Sequence, residues 1–150
     1  MPSSSYVESI RARIGHDLLL LPAVSAVFRN GDRFLLARQR GGGEWGLVGG
    51  GVEPGESPQE AVIREVLEEI GVRPEVFGII GAYGGPDLIV RYPNGDHVSY
   101  VTIAFLCALP ADAEIVFADG ELVEIGWFTR EEISVLRRHA EVDRVLADAP

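Results

Sequence analysis

Glu65, Glu68 and Glu69 fall within the hexapeptide REVLEE at positions 64–69, with only two apolar residues among them. Carboxylates at i, i+3 and i, i+4 repel each other on a helix surface by roughly 0.2–0.5 kcal/mol per pair. Two arrangements relieve that repulsion. One is a solvated face on which Arg64 pairs with Glu68. The other is a bound divalent cation, because Mg²⁺ and Mn²⁺ take hard oxygen ligands of this kind. At about 100° per residue and with Glu65 as zero, Glu68 falls near about −60° and Glu69 near about +40°. Ile63, Val66, Leu67 and Ile70 fall at roughly 100–200° on the same wheel. This predicts an acidic face turned away from the core, with alanine at position 61 leaving room on it for a ligand.

The helix that carries these residues is sharply delimited. Ser57 followed by Pro58 and Glu60 combines an N-cap, a proline at the first helical position and a capping box. Gly71 supplies a left-handed C-cap. The wider pattern settles which arrangement the glutamates serve. It runs Gly50-x5-Glu56-x7-Arg64-Glu65-Val66-x-Glu68-Glu69-x-Gly71-Val72. It resembles the Nudix hydrolase signature at every defined position. Chance agreement at seven fixed residues of ordinary frequency is on the order of 10⁻⁷ per starting point. The upstream hairpin, GEWGLVGG and the late VEIGWFTREEI also resemble family features, so the likeness covers residues 18–135.

That resemblance implies an α/β/α sandwich with a mixed β-sheet, in which the box forms a loop–helix–loop. It also implies Mg²⁺-dependent hydrolysis (Mn²⁺ as substitute) of a diphosphate linked to another group. Carried over residue by residue, Glu65 and Glu69 become the main metal ligands, and Glu68 an additional ligand or base. The carbonyl of Gly50 becomes a further ligand, and Gly50 and Gly51 line the substrate loop. Arg64 orients the carboxylates, and Glu56 supports the loop–helix junction. Val48 departs from the family pattern, which usually has proline there, but it touches no ligand.

The chemistry requires charge neutralisation and a proton acceptor, because a diphosphate's negative charges repel an attacking hydroxide. Glu68 and Glu69 are the acceptors expected within the box. In FADGELVEIGW, Glu121 is the first loop candidate and Asp119 the next, against the alternative of a solvated turn. Arg38 and Arg40 precede the glycine-rich stretch and are candidates to reach a phosphate, or else are solvated edge-strand residues. Trp45 is expected to pack under that stretch, and Tyr83, Tyr92 and Tyr100 are open between core and base stacking. Pro86, fourteen residues after Val72, comes near the spacing of ADP-ribose-hydrolysing members. Tyr92 lies slightly too far along for the dinucleoside-polyphosphate pattern, and the motif of NADH-hydrolysing members is absent. The favoured substrate is a nucleoside diphosphate linked to another group, such as ADP-ribose. The alternatives are an ordinary or oxidised nucleoside triphosphate and, of another class, a non-catalytic nucleotide-sensing module.

The rest of the chain must position these residues. Its 150 residues are 47% apolar and 24% charged, which suits one globular domain over 1–150. Net charge is −10, and all 13 basic residues are arginine. So acidic a chain lacks the footprint for gripping nucleic acid, and carboxylate-held metals suit its handling of phosphates. The apolar run LLLLPAVSA is interrupted by Pro22, falls short of the roughly 20 residues of a membrane span, and leads into a hairpin at Asn30-Gly31. A cytoplasmic location without membrane attachment is therefore expected. Cys107 is the only cysteine and reads as a buried structural thiol. A second hairpin is expected at Asn94-Gly95, a loop over 41–56, and one continuous helix after the Thr129–Glu132 capping box. The long apolar strand 98–109 suggests a surface needing cover, hence a homodimer.

Overall fold

A computed structural model describes residues 4–41 and 43–150. In chain order the elements are α1 (Ser5–Ile14), β1 (Leu19–Asn30), β2 (Arg33–Gln39), β3 (Trp45–Gly46), β4 (Val48–Gly51) and α2 (Pro58–Ile70). They continue with β5 (Glu75–Tyr83), a single 3₁₀ turn (Pro86–Leu88), β6 (Ile89–Arg91), β7 (His97–Ala108), β8 (Leu122–Thr129), α3 (Arg130–Ser134) and α4 (Ala140–Asp148). Both expected hairpins form. Each turns at a glycine with positive φ, 62° at Gly31 and 95° at Gly95, a conformation that residues with a Cβ avoid.

The centre of the sheet is a parallel pair. β1 and β7 run side by side from Leu19↔Val98 to Phe28↔Cys107. β4 joins the other side of β1, and β5 and β6 join β7 antiparallel. The far end of β1 turns into β2, which continues the mixed sheet with β8 and β3. Because side chains alternate along a strand, β1 feeds two cores. Val24, Ala26 and Phe28 meet Val62, Val66 and Ile70 of α2 on one side. Val27 meets Val142, Val145 and Leu146 of α4 on the other. Each such fully buried side chain contributes about 1.5–3 kcal/mol. Helices thus cover both faces, as the α/β/α expectation requires, and the helical cover extends beyond residue 135 to include α4.

Two expectations need correction. The glycine-rich stretch 41–56 is not all loop, since β4 pairs with β1 from Ala23↔Gly51 to Ala26↔Val48. Within β4 glycine supplies space rather than turning freedom: a Cβ on Gly49 would sit 2.0 Å from the Val24 carbonyl oxygen. Val48, the departure from the family pattern, is a fully buried strand residue beneath α2. The helix expected over 129–149 is broken into α3 and α4. Between them Trp45 N–H donates to the Arg137 carbonyl at 2.9 Å and His139 N–H to the Trp45 carbonyl at 2.9 Å, so the chain extends against β3 instead of coiling. The strand over 97–108 is flanked on both sides within the sheet, and exposed apolar side chains lie on several strands, among them Leu20 of β1, Phe77 and Ile79 of β5 and Val101 of β7 itself. Among the described residues no helix is long and apolar enough to cross a membrane.

Candidate active site

The frame of the site is set by the ends of α2. The Ser57 hydroxyl accepts from Glu60 N–H at 3.2 Å, while the Glu60 carboxylate accepts from Ser57 N–H at 2.8 Å. At the other end Gly71 closes the helix in the left-handed region, at φ 70°. The helix is turned differently from the expectation. Ala61, Val62, Glu65, Val66, Glu69 and Ile70 form its buried stripe, so Glu65 and Glu69 point inward. Ala61 is a core residue rather than an opening for a ligand. Glu68 remains on the exposed side, with Leu67.

Arg64 organises the N-terminal half of the box. Its Nε and Nη2 donate to the two oxygens of Glu56 at 2.7 and 3.1 Å. Its Nη1 donates to Glu65 at 2.9 Å and to Glu68 at 3.1 Å, and Nη2 also reaches the Gly51 carbonyl at 2.8 Å. One planar guanidinium therefore ties the loop, the junction and two box glutamates together, a task suited to its rigid fork of donors. Glu56 completes the junction by accepting from Glu53 N–H at 3.0 Å. The Arg64 hydrogen bonds hold Glu56 below the ordinary carboxylate pKa, and those to Glu56 hold Arg64 more firmly charged.

Glu65 sits against β4 so closely that a Cβ on Gly50 would lie 2.4–2.6 Å from its carboxylate atoms. Only glycine fits there. Burial raises the pKa of Glu65 although Arg64 opposes the rise. Glu69 has no such partner. It is 1% exposed, and its Oε1 is buried without a hydrogen-bond partner among the described residues. Desolvation, then the nearby charges of Glu65, Asp119 and Glu121, push its pKa up to about 9. The 119–121 turn therefore does come to the box. Arg40 holds it there, its N–H donating to the Glu121 carbonyl at 2.7 Å and its Nε to the Gly120 carbonyl at 3.2 Å.

The other expected contacts are placed as follows. Arg38 is hydrogen-bonded to Glu124 and lies over the Trp45 ring, 5.5 Å from its centroid. Trp45 packs edge-on against Phe128 at 5.0 Å, so it packs in the interior as expected. Tyr83 is buried and donates to Asp148 at 2.7 Å. Tyr92 and Tyr100 share a hydrogen bond of 2.5 Å between their hydroxyls. A cavity of about 620 Å³ opens beside Gly51, Glu65 and Glu68, and its other walls carry Tyr6, Arg11, Tyr92 and Tyr100. Sequence reasoning missed Tyr6 and Arg11. No spacing marks them, because they reach the cavity only through the packing of α1 against the β6–β7 turn.

The donor set suits a hard divalent cation: carboxylates, a backbone carbonyl, and at Glu69 a buried oxygen with no proton donor to satisfy it. Glu65 and Glu68 are drawn to Arg64 rather than gathered with Glu69, and no three His, Cys, Asp or Glu groups among the described residues already form a cage.

The comparisons agree with this geometry. The family model described as NUDIX domain matches residues 19–149. The nucleoside triphosphatase NudI of Enterobacter sp. (strain 638) is 35% identical over 121 residues, 75% of this chain and 84% of that protein. The NAD-capped RNA hydrolase NudC of Mycobacterium tuberculosis (strain ATCC 25177 / H37Ra) is 36% identical over 115 residues, 75% of this chain but only 34% of that protein. An ADP-ribose pyrophosphatase of Methanocaldococcus jannaschii is 38% identical over 84 residues, 54% of this chain and 48% of that protein. Among solved structures, a NUDIX hydrolase from Nitrosomonas europaea superposes with a TM-score of 0.69 at 27% identity, over 85% of this chain and 86% of that one. Nudix enzymes act on small nucleotide substrates with divalent metal ions. This chain belongs to the Nudix family and is a pyrophosphohydrolase.

Proposed function

We propose that this enzyme uses Mg²⁺ to hydrolyse a nucleoside diphosphate joined to a second group, with ADP-ribose as the favoured substrate. The observation that carries the reading is the cavity beside α2. It has an acidic end at Glu65 and Glu68 and an aromatic end at Tyr6, Tyr92 and Tyr100. Its volume of about 620 Å³ lies within the range of small-molecule sites. A linear substrate with a diphosphate in the middle suits such a space.

Glu65 and Glu69 would hold the metal, with Glu68 and the Gly50 carbonyl as further ligands. When bound, the metal supplies charge neutralisation at the diphosphate and a readily ionised water. The chain's own residues do the rest. Arg64 keeps Glu65 and Glu68 at the cavity edge, and yields one of them when the site fills. Gly50 lets the β4 backbone come close to the Glu65 carboxylate. Glu68, Glu69 or Glu121 accepts the proton of the attacking water. Water adds to one phosphorus, the bridging P–O bond breaks, and ADP-ribose leaves as AMP and ribose 5-phosphate.

A second reading is favoured by the NudI likeness, which covers most of that nucleoside triphosphatase. A substrate panel separates the two. ADP-ribose, other nucleoside diphosphate sugars, the ordinary nucleoside triphosphates and oxidised dNTPs are each incubated with Mg²⁺ and with EDTA. ADP-ribose should give the highest kcat/KM, and EDTA should abolish it. Faster release of pyrophosphate from triphosphates would overturn the first reading for the second. No turnover of any member would leave the sensing module.

A further inference from the structure

Tyr6, Val7 and Arg11 lie outside the stretch that the NUDIX family model matches, residues 19–149, yet they form part of the cavity wall. α1 fully buries none of its residues. Helices of ten residues are marginal alone, so core packing does not explain why this one is present. Polar ties hold it instead. The Ser4 hydroxyl accepts from Val7 N–H at 3.1 Å. Arg11 donates to the carbonyls of Gly15 at 3.1 Å and Asp17 at 2.6 Å, and reaches across to that of His97 at 2.8 Å. His16 and Asp96 meet at 2.7 Å. These contacts fasten α1 to the β6–β7 turn and leave Tyr6 45% exposed and Tyr92 40% exposed.

The chemistry of this end differs from that of the box. Arg11 already donates to three carbonyls, so its hydrogen bonds are committed to structure rather than to a phosphate. What remains is aromatic surface at Tyr6 and Tyr92, because the Asn94 amide is itself engaged by Asp96. The Tyr92–Tyr100 hydroxyl pair fixes the Tyr92 ring without covering it. Rich in aromatic surface, with its charged groups Arg11 and Asp96 engaged in structural contacts, this end matches a nucleobase, which stacks on aromatic rings whatever its substituents. We infer that α1 and the β6–β7 turn form the nucleobase subsite of this enzyme, with Tyr6 as the stacking residue. This rests on the reading that the substrate is a nucleotide. It adds that base binding lies in a segment outside the matched family region.

The test compares wild type, Tyr6→Ala and Tyr6→Phe. Position 6 is exposed in the first turn of α1, and alanine favours helix, so the fold is retained; circular dichroism checks this. Kinetics are measured on the best nucleotide of the panel and on phosphoribosyl pyrophosphate, a diphosphate without a base. The ratio of the two kcat/KM values should fall about tenfold in Tyr6→Ala, within the range that base–aromatic stacking supplies. Tyr6→Phe should restore the ratio. A ratio that stays within about twofold of wild type in Tyr6→Ala would overturn the subsite, as would equal loss in Tyr6→Phe. Titration of AMP, GMP, CMP and UMP followed by NMR tests the same inference without hydrolysis. Binding that weakens about tenfold in Tyr6→Ala supports it. Equal affinity in both proteins, or no binding by wild type, overturns it even if the panel finds an active substrate.

Discussion

Glu56 and Glu69 are both carboxylates of one conserved-pattern box, and their environments push them in opposite directions. Glu56 accepts two hydrogen bonds from Arg64 and one from Glu53 N–H, and its pKa is lowered. Glu69 is more deeply buried, keeps an orphan oxygen, faces Glu65, Asp119 and Glu121, and has a pKa of about 9. The only arginine within the helix serves the first and bypasses the second. A charge satisfied by its neighbours stabilises the fold. A charge left unsatisfied is available to something that arrives from outside.

Substituting Glu69 tests this contrast with the largest effect. Glu69→Gln keeps the shape and removes the charge, so turnover should fall by several orders of magnitude, losing both metal holding and proton acceptance. Metal-free stability should move the other way. The folded pKa of about 9 lies above the ordinary 4.5, so the folded protein binds more protons than the unfolded chain between these values. Wild-type stability therefore falls as pH rises through that window, whereas the glutamine variant lacks this loss. Metal-free melting at pH 6 and pH 9 should show the variant gaining on wild type at the higher pH. Near-normal turnover would break the contrast.

Glu56→Gln should behave oppositely. It weakens the hold on Arg64 and should lose about 1–3 kcal/mol of stability by urea denaturation at neutral pH. Because the folded pKa is lowered, that contribution is present above 4.5 and disappears as pH falls through the folded value. Wild type and variant should then converge in acid. A constant gap between them would assign the loss to packing instead.

Glu68→Gln is the mildest change. Its pair with Arg64 is an exposed i, i+4 contact at 3.1 Å, worth about 0.3–0.5 kcal/mol. Stability should hardly move in the same urea experiment. A loss above about 1 kcal/mol would mean that Arg64 depends on all three glutamates rather than chiefly on Glu56.

Much of this was legible in the sequence, for identifiable reasons. Ser57, Glu60 and Gly71 act through local backbone geometry, so the helix ends could be read directly. Asn30-Gly31 and Asn94-Gly95 act the same way. The rotation of α2 was not legible from its apolar residues alone. Leu67 is exposed while Glu65 and Glu69 are buried, an inversion that hydrophobicity cannot anticipate because the site's chemistry requires it. The strand character of β4 was hidden for a related reason. Glycine normally signals a turn, but at Gly49 and Gly50 it makes room for Val24 and Glu65. The break between α3 and α4 depends on Trp45, some ninety residues earlier in the chain. The role of α1 depends on a turn that lies just as far away.

The parallel pairing at the centre of the sheet also bears on how the molecule is assembled in time. Leu19 meets Val98, a separation of 79 residues (98 − 19), and the whole of α2 lies inside the enclosed segment. Closing so long a segment demands entropy before any contact is gained. During synthesis from the N-terminus, β1, β4 and α2 emerge before β7, the strand that pairs along β1. The 119–121 turn whose charges face Glu69 follows β7 in the chain, so the full electrostatic setting of the box is a late product of folding rather than a property of the box itself.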